Sequence, residues 1–418
     1  MSEYVDTIVV GGGQAGLAAS YYLSKAQRPH IVFERSLHPA HAWRNQRWDS
    51  FTLVTPNWMI RMPGAEYDGN DPDGFLTRDQ VVSYLSGYVS RFHLPVRYGV
   101  EVRSIGREPE GSYLIATTAG GYQSSNVIVA TGLYQGPRIP AFADKLPSRI
   151  QQIHSSEYRN PTVLPEGAVL VVGAGQSGAQ IAEELYETGR RVYLSVGRTL
   201  RTPRRYRGRD VHQWGQMLGM WDRTVEQLHS PREKFEVHAT ISGKAGGRTL
   251  NLHQFVRDGV VLLGRLRDVE DGTLVLGPDL RNHLAEADQF EAGATAAIDE
   301  YIEQNEIQVP ACDLYKLRDG YDAPQILRLD LAAQGITGVI WASGYTFDFS
   351  MIQLPVRDAD GYPIQTRGVT EYQGLDFLGM PWLHSRKSGL LYGVGEDAGH
   401  VVSHLLASHQ LRVVELAS

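Results

Sequence analysis

Ile8-Val9-Val10-Gly11-Gly12-Gly13-Gln14-Ala15-Gly16 runs an apolar strand into a Gly-x-Gly-x-x-Gly turn, and Leu17 to Lys25 continues as a helix-like stretch. Each glycine has a separate physical task. Gly11 permits the tight turn, Gly13 lets the backbone approach a pyrophosphate, and Gly16 lets the helix pack closely on the strand, while the helix start offers amide donors to phosphates. His30 to Glu34 reads as the second strand, and Glu34 stands about 20 residues past the last glycine, where a carboxylate accepts ribose hydroxyls. A glycine-rich turn without a ligand would explain the turn but neither the strand nor the acid.

The pattern occurs twice. Val169-Leu170-Val171-Val172-Gly173-Ala174-Gly175-Gln176-Ser177-Gly178 is again followed by a helix-like run, Ala179 to Thr188, and a strand, Arg191 to Val196. The place of the acid is taken by Ser195, with Arg198, Arg201, Arg204 and Arg205 close behind. A small residue with arginines suits a ribose 2′-phosphate, which a carboxylate would repel and a guanidinium can grip with two bonds. The first unit therefore reads as FAD-type and the second as NADPH-type. For any one of those arginines a solvated basic loop is the competing account.

Composition bounds the class. The 418 residues suffice for two or more domains, and 42% hydrophobic with 21% charged residues is a globular balance. A formal net charge of −7 gives no whole-protein affinity for nucleic acid or an anionic membrane. No apolar run approaches the roughly 20 residues of a membrane helix, and nothing near Ser2 resembles a signal peptide, so a cytoplasmic location is expected. Cys312 is the only cysteine, which forbids an intramolecular disulfide or a Cys-x-x-Cys redox pair. The 14 histidines show no metal-site spacing, so no metal is expected.

Along the chain, Trp43 to Pro56 is aromatic, polar and turn-like. Thr77 opens a helix with Gln80 as its capping-box partner, and Val81, Val82, Leu85, Tyr88, Val89 and Phe92 recur at helical spacing. Strands are expected at Val96 to Ile105, Tyr113 to Thr117 and Asn126 to Gly132, the last ending in Ala130-Thr131-Gly132, small residues that allow a close backbone pass by a ligand. Prolines from Leu133 to Gly167 read as a linker containing His154 and Tyr158. The second unit carries an extra segment, about 201–250, in which Trp214, Met217, Met220 and Trp221 suit either an apolar lid or a helix burying one face. A helix is expected from Asn282 to Gln304. The chain then re-enters the first unit at Gly338 to Tyr345, and a last strand, Leu390 to Gly395, leads into a helix begun by Glu396 and Asp397. The expected architecture is α/β: two dinucleotide-binding Rossmann-like domains, with the FAD domain (1–165 and 334–418) interrupted by the NADPH domain (166–333).

These units, with Ala130-Thr131-Gly132, Trp341-Ala342-Ser343-Gly344 and the linker His154-Ser155-x-x-Tyr158, resemble the class B flavoprotein monooxygenases, nearest to the flavin-containing and plant-type indole-pyruvate monooxygenases. The identifying linker of that family is matched at His154 and Tyr158, while Ser148 and Ile150 stand at its Phe and Gly places. A Baeyer–Villiger enzyme would carry Trp where Tyr158 stands. Pro56, rather than Asn57, occupies the place of a nicotinamide-orienting asparagine. The resemblance implies that NADPH reduces FAD and that a flavin C4a-(hydro)peroxide then passes one oxygen atom of dioxygen to a small amine, sulfide or carbonyl compound. It assigns FAD to Gly11, Gly13, Gln14, Ala15, Gly16, Glu34, Arg35, Trp43, Arg44, Thr55, Val102, Ala130, Thr131, Gly132 and Asp397. It assigns NADPH to Gly173, Gly175, Gln176, Ser177, Gly178, Ser195, Arg198 and Arg204. His154, Tyr158, His384 and Arg386 are the candidates for catalysis; a satisfied linker histidine is the alternative for His154, and a solvated basic turn for Arg386 with Lys387. A homo-oligomer is allowed. Two other readings stay open: an NADPH oxidase or flavin reductase releasing hydrogen peroxide, and a non-catalytic FAD- or NADP-binding sensor.

Overall fold

The computed structural model describes residues 2–417. The two glycine motifs each follow a strand of a different sheet, and the sheets are separate. In the first, β1 (Glu3–Val10) leads through the glycine turn into α1 (Gln14–Lys25) and β2 (His30–Glu34), which lies parallel to β1. Thr77 and Gln80 form the expected reciprocal cap at the start of α2 (Arg78–Arg91), whose Val81, Val82, Leu85 and Tyr88 are buried. The expected single strand from Val96 to Ile105 is broken at Gly99, which has φ +73°. Its halves part company: β3 (Val96–Tyr98) pairs with β2, whereas β4 (Val102–Arg107) forms an antiparallel meander with β5 (Tyr113–Thr117) and β6 (Gly120–Val129). The turn Glu108–Gly111 makes the first reversal, closed by the Glu108 amide donating to Ser112 at 2.8 Å. The order is β3-β2-β1-β6-β5-β4, with Leu375–Phe377 adding to β6 in parallel.

The second sheet is wholly parallel. It has the order β7 (Gln151–His154), β11 (Ile336–Trp341), β8 (Ala168–Val172), β9 (Val192–Ser195), β10 (Val261–Leu263), with α3 (Gln176–Glu187) following β8. Here the expectation is corrected twice. Gln151–His154 is an edge strand of this sheet rather than linker, and Ile336–Trp341 lies between β7 and β8 rather than re-entering the first unit. The reason is packing: Val339, Ile340 and Trp341 are fully buried against the second unit's Leu170, Val171 and Tyr193. The expected boundaries at 165 and 334 therefore separate neighbouring strands of one sheet.

Leu390–Gly393 is a turn, not a strand, and the C-terminal helix begins at Val394 and runs to Ala417. It packs on α1. The extra segment contains a short helix, Val211–Met217, with Trp214 fully buried against Tyr206 and Ile298. Trp221 turns the other way and packs with Met59 and Tyr392 of the first unit. The four apolar residues thus serve two cores and form neither one lid nor one helical face. The long helix Leu280–Gln304 supplies Ile298. Among the described residues no helix is long and apolar enough to cross a membrane.

Candidate dinucleotide and substrate site

Gly11 has φ +111° and Gly173 φ +108°, and a Cβ on either would stand 2.5 Å from the carbonyl oxygen of Ala130 or Ala342. A Cβ on Gly16 or Gly178 would lie 1.9 or 1.8 Å from the Gly11 or Gly173 carbonyl. Protein packing therefore dictates the first and third glycines of each motif. The middle glycines differ: a Cβ on Gly13 or Gly175 would meet no protein atom within 4 Å. Each leaves an open cradle at a helix N-terminus, which is the geometry of a pyrophosphate site.

In the first unit the Glu34 carboxylate is held at the strand end, accepting from the Gly12 and Ser36 amides at 2.8 Å each. Ala15 touches the loop beyond the Leu375–Phe377 strand, since a Cβ on Gly379 would come within 2.5 Å of it. Gln14 donates its side-chain amide to the Gly389 carbonyl at 2.8 Å, drawing the 384–389 loop onto the cradle. Asp397, in the first turns of the C-terminal helix, is buried, and its Oδ2 has no hydrogen-bond partner. Burial pushes its pKa up, against a hydrogen bond from Ser388. An open phosphate cradle, a ribose acceptor and an orphaned buried carboxylate oxygen tied through Ser388 to the loop that Gln14 holds together fit a flavin dinucleotide. Thr131 and the Gly132 carbonyl receive the Gln135 amide at 2.8 and 2.6 Å, with Gly132 at φ +72°. Trp43 and Thr55 are half-buried, Val102 is buried, and Arg35 and Arg44 are exposed. Asn57 is consumed within its own loop, bonding the Asp71 carbonyl and the Leu76 amide at 2.9 Å.

In the second unit Gln176 makes the counterpart of the Gln14 contact, with both ends of its amide on Ile241; Ser177 is half-buried beside it. Ser195 is buried and its hydroxyl is already used, donating to the Gly264 carbonyl at 3.1 Å and accepting the Leu266 amide at 2.9 Å. It tethers β9 to the loop after β10 and has no group left for a phosphate. Arg204 is largely engaged: its Nε pairs with Asp210 at 2.7 Å, its Nη1 donates to Val54 at 2.6 Å, and Phe75 covers its face at 4.2 Å, while its buried Nη2 has no partner. It joins the two units. Arg198 stays exposed, 3.6 Å from Glu236. The sequence reading missed Arg265. Its exposed guanidinium lies 3.5 Å from where a Gly197 Cβ would stand, and among the described residues it has no ion pair. The signal was there, a cation just past the strand that neighbours β9.

The linker candidates are structural. His154 has both ring nitrogens engaged, one with Ser156 at 2.9 Å and one with the Gly344 carbonyl at 3.0 Å, and burial lowers its pKa. Tyr158 is buried and donates to Glu184 at 2.8 Å, with its pKa raised first by burial and then by that carboxylate. His384 and Arg386 do lie on the loop that Gln14 holds. His384 is half-buried, and its backbone accepts from Val225 of the extra segment at 2.9 Å. Among the described residues no cluster of three or more potential ligands could hold a metal ion.

Fold and site together define a two-dinucleotide flavoprotein oxidoreductase. Residues 8–214 match the family model described as pyridine nucleotide-disulphide oxidoreductase. The chain is 35% identical over 411 residues to an oxidoreductase of Geobacillus kaustophilus named as CzcO-like, covering 97% of this chain and 99% of that one. It belongs to that oxidoreductase family. A probable indole-3-pyruvate monooxygenase of Arabidopsis thaliana is 29% identical over 196 residues, 46% of this chain and 47% of that protein. A flavin-containing monooxygenase from Stenotrophomonas maltophilia has the same fold, with a TM-score of 0.66 at 18% identity over 97% of this chain and 99% of that one. These matches support the resemblance to class B flavoprotein monooxygenases. The thiol pair that the matched family's description implies is missing from this sequence, whose one cysteine packs near Trp214.

Proposed function

We propose that the protein is a monooxygenase that uses NADPH and FAD to place one atom of dioxygen on a small organic molecule. The observation that carries this is the pair of open cradles at Gly13 and Gly175, each following an interior strand of its sheet, with an orphaned acid, Asp397, bound to the same 384–389 loop that Gln14 holds at the first cradle. Bound FAD supplies the redox and oxygen-activating chemistry, and NADPH supplies the electrons. The protein's part is binding, orientation and exclusion of water. The α1 amides and Gly13 hold one pyrophosphate, Glu34 accepts the ribose hydroxyls and Asp397 the polyol chain. The α3 amides and Gly175 hold the other pyrophosphate, and Arg198 with Arg265 receives the 2′-phosphate. The extra segment closes the cleft: Val225 and Arg386 donate backbone bonds to His384 and Arg223 at 2.9 and 3.0 Å, so that residues 223–225 of the second unit lie antiparallel along the first unit's 384–386 loop. The test is spectroscopic. The purified protein is expected to be yellow, to bleach with NADPH under anaerobic conditions, and to yield ¹⁸O-labelled product when ¹⁸O₂ and a substrate are admitted. Full-yield hydrogen peroxide with every substrate would make it an oxidase, and a flavin that stays oxidised would make it a sensor.

A further inference from the structure

Arg265 leaves β10 on a three-residue turn, 264–266, that opens the antiparallel hairpin of Leu266–Glu270 with Thr273–Leu276. The backbone of that turn is gripped at four points. The Gly264 carbonyl accepts from the Ser195 hydroxyl at 3.1 Å, and the Leu266 amide donates to the same hydroxyl at 2.9 Å. The Arg265 carbonyl accepts from the Gly277 amide at 2.8 Å, and the Arg265 amide donates to Asp279 Oδ1 at 2.9 Å. Only glycines fit around that carboxylate: a Cβ on Gly264 would collide with the Gly277 carbonyl, and one on Gly277 would stand 2.8 Å from Asp279 Oδ1.

Asp279 stands at the N-cap of the helix Leu280–Gln304, where an aspartate ordinarily accepts an amide of the first helical turn. Its side chain makes no such bond here. One carboxylate oxygen is spent on the Arg265 amide and the other on Arg267, at 2.7 Å. The neighbouring acids are likewise taken, Asp268 by Lys145 at 2.7 Å and Glu270 by Arg328 at 2.9 Å. The Arg265 guanidinium is left exposed beside Gly197, past the end of β9, with no ion pair or hydrogen bond among the described residues. Asp279 thus fixes the main chain of one arginine while a second arginine matches its charge. A guanidinium that is already placed and unpaired loses little freedom, and breaks no ion pair, when an anion arrives.

We infer that Asp279 is the positioning residue for nucleotide selection in the second unit: with Ser195 it holds the 264–266 turn so that Arg265 faces the 2′-phosphate of NADPH. This role rests on the NADPH reading of that unit and deepens it, because part of the selectivity then comes from an acid that never touches the phosphate. Acting through its charge alone, an aspartate beside an anion site would repel the phosphate, and that contrast gives the test its sign.

The test is the ratio of the dissociation constants for NAD⁺ and NADP⁺, measured by isothermal calorimetry on the purified holoprotein. Wild type is expected to favour NADP⁺ about 100-fold. Asp279→Ala should cut that preference about tenfold, entirely through weaker NADP⁺ binding, whereas Asp279→Asn keeps an oxygen for the Arg265 amide and should stay within about threefold of wild type. Ser195→Ala changes no charge and removes the other two bonds to the turn, so it should lower the preference in the same direction; it decides the matter if Asp279→Ala folds poorly. An unchanged ratio in the alanine variants, or tighter NADP⁺ binding by both Asp279 variants, would overturn the positioning role, the second result leaving Asp279 as a repelling charge. Equal losses for NADP⁺ and NAD⁺ would also overturn it, leaving a part in stability only. A wild-type protein without preference for NADP⁺ would remove the NADPH reading itself, and the role of Asp279 with it.

Discussion

The two nucleotide units are built to one plan and finished differently. Both set a positive-φ glycine so close to a carbonyl, Ala130 or Ala342, that a Cβ would stand 2.5 Å from it, and both tie the helix start to a distant segment through a glutamine, Gln14 or Gln176. They part at the end of the second strand. Glu34 reaches back to the Gly12 amide, and a Cβ on Gly12 would lie 2.9 Å from the Glu34 Cβ, so acid and glycine go together. The second unit has Ser195 there and can carry Ala174 in place of the middle-turn glycine. Its hydroxyl faces the next strand, leaving the mouth to Arg198 and Arg265. Backbone packing thus writes the shared cradle, and the two units differ in the single side chain at one strand end.

The sharpest way to break this comparison is to fill each cradle in turn. Gly13→Val should fold, because its side chain enters empty space, yet lose its flavin, with FAD affinity down about 100-fold or more by equilibrium dialysis. Gly175→Val should stay yellow while the NADPH concentration for half-maximal bleaching rises by a similar factor. If both variants lose flavin, or both keep it, the two units have not been told apart.

Next in size is the strand-end difference. Arg265→Glu should raise the KM for NADPH about 10- to 100-fold and leave NADH little changed, because only the 2′-phosphate is addressed. An equal effect on both nucleotides would remove Arg265 from phosphate recognition.

A third contrast concerns the strand that lies on each sheet's far side of the crossover. In the first unit this is Leu375–Phe377, which carries a buried acid, Asp376, pushed by desolvation to about 7; in the second it is β7, with Gln152 and Ile153. A carboxyl raised in the folded state contributes most at low pH, and that contribution fades as pH climbs from about 4 to about 7. Asp376→Asn should therefore flatten the pH dependence of stability and leave the variant about 1–3 kcal/mol more stable than wild type at pH 8, read by urea unfolding. A variant equally destabilised at pH 5 and pH 8 would show that the acid is needed as a hydrogen-bonding group instead.

The smallest expected effect belongs to Tyr158→Phe. Losing the bond to Glu184 should cost about 1–2 kcal/mol of stability with kcat unchanged within twofold. A large fall in kcat would return Tyr158 to the catalytic candidates.

Much of this was written locally in the chain and was legible there. Glycine spacing, the Thr77–Gln80 cap and the acid at Glu34 depend on neighbours a few residues away or on a fixed strand–helix–strand geometry, so their reading survives folding. What failed was non-local. The likeness of Ala342-Ser343-Gly344 to Ala130-Thr131-Gly132 was visible, but a strand's alternation does not say which sheet it joins, and β11 sits in the second unit as β6 sits in the first. Ser195 and Arg204 had the right chemistry at the right spacing; only the fold shows Gly264 taking the Ser195 hydroxyl, and Asp210 and Val54 taking Nε and Nη1 of Arg204. Arg265 was missed for the converse reason, being brought to the site by a strand far along the chain.

The interleaving of the strands has a consequence for the order of assembly on the ribosome. The second sheet needs residues 151–341 only, whereas the first waits for Leu375–Phe377 and the helix that starts at Val394. At about 5–20 residues per second of synthesis, the internal unit can close while the outer one is still an open sheet lacking its last strand. The nascent chain would then expose the apolar flank of β6 for several seconds, and it is there that a chaperone or a premature partner would find it.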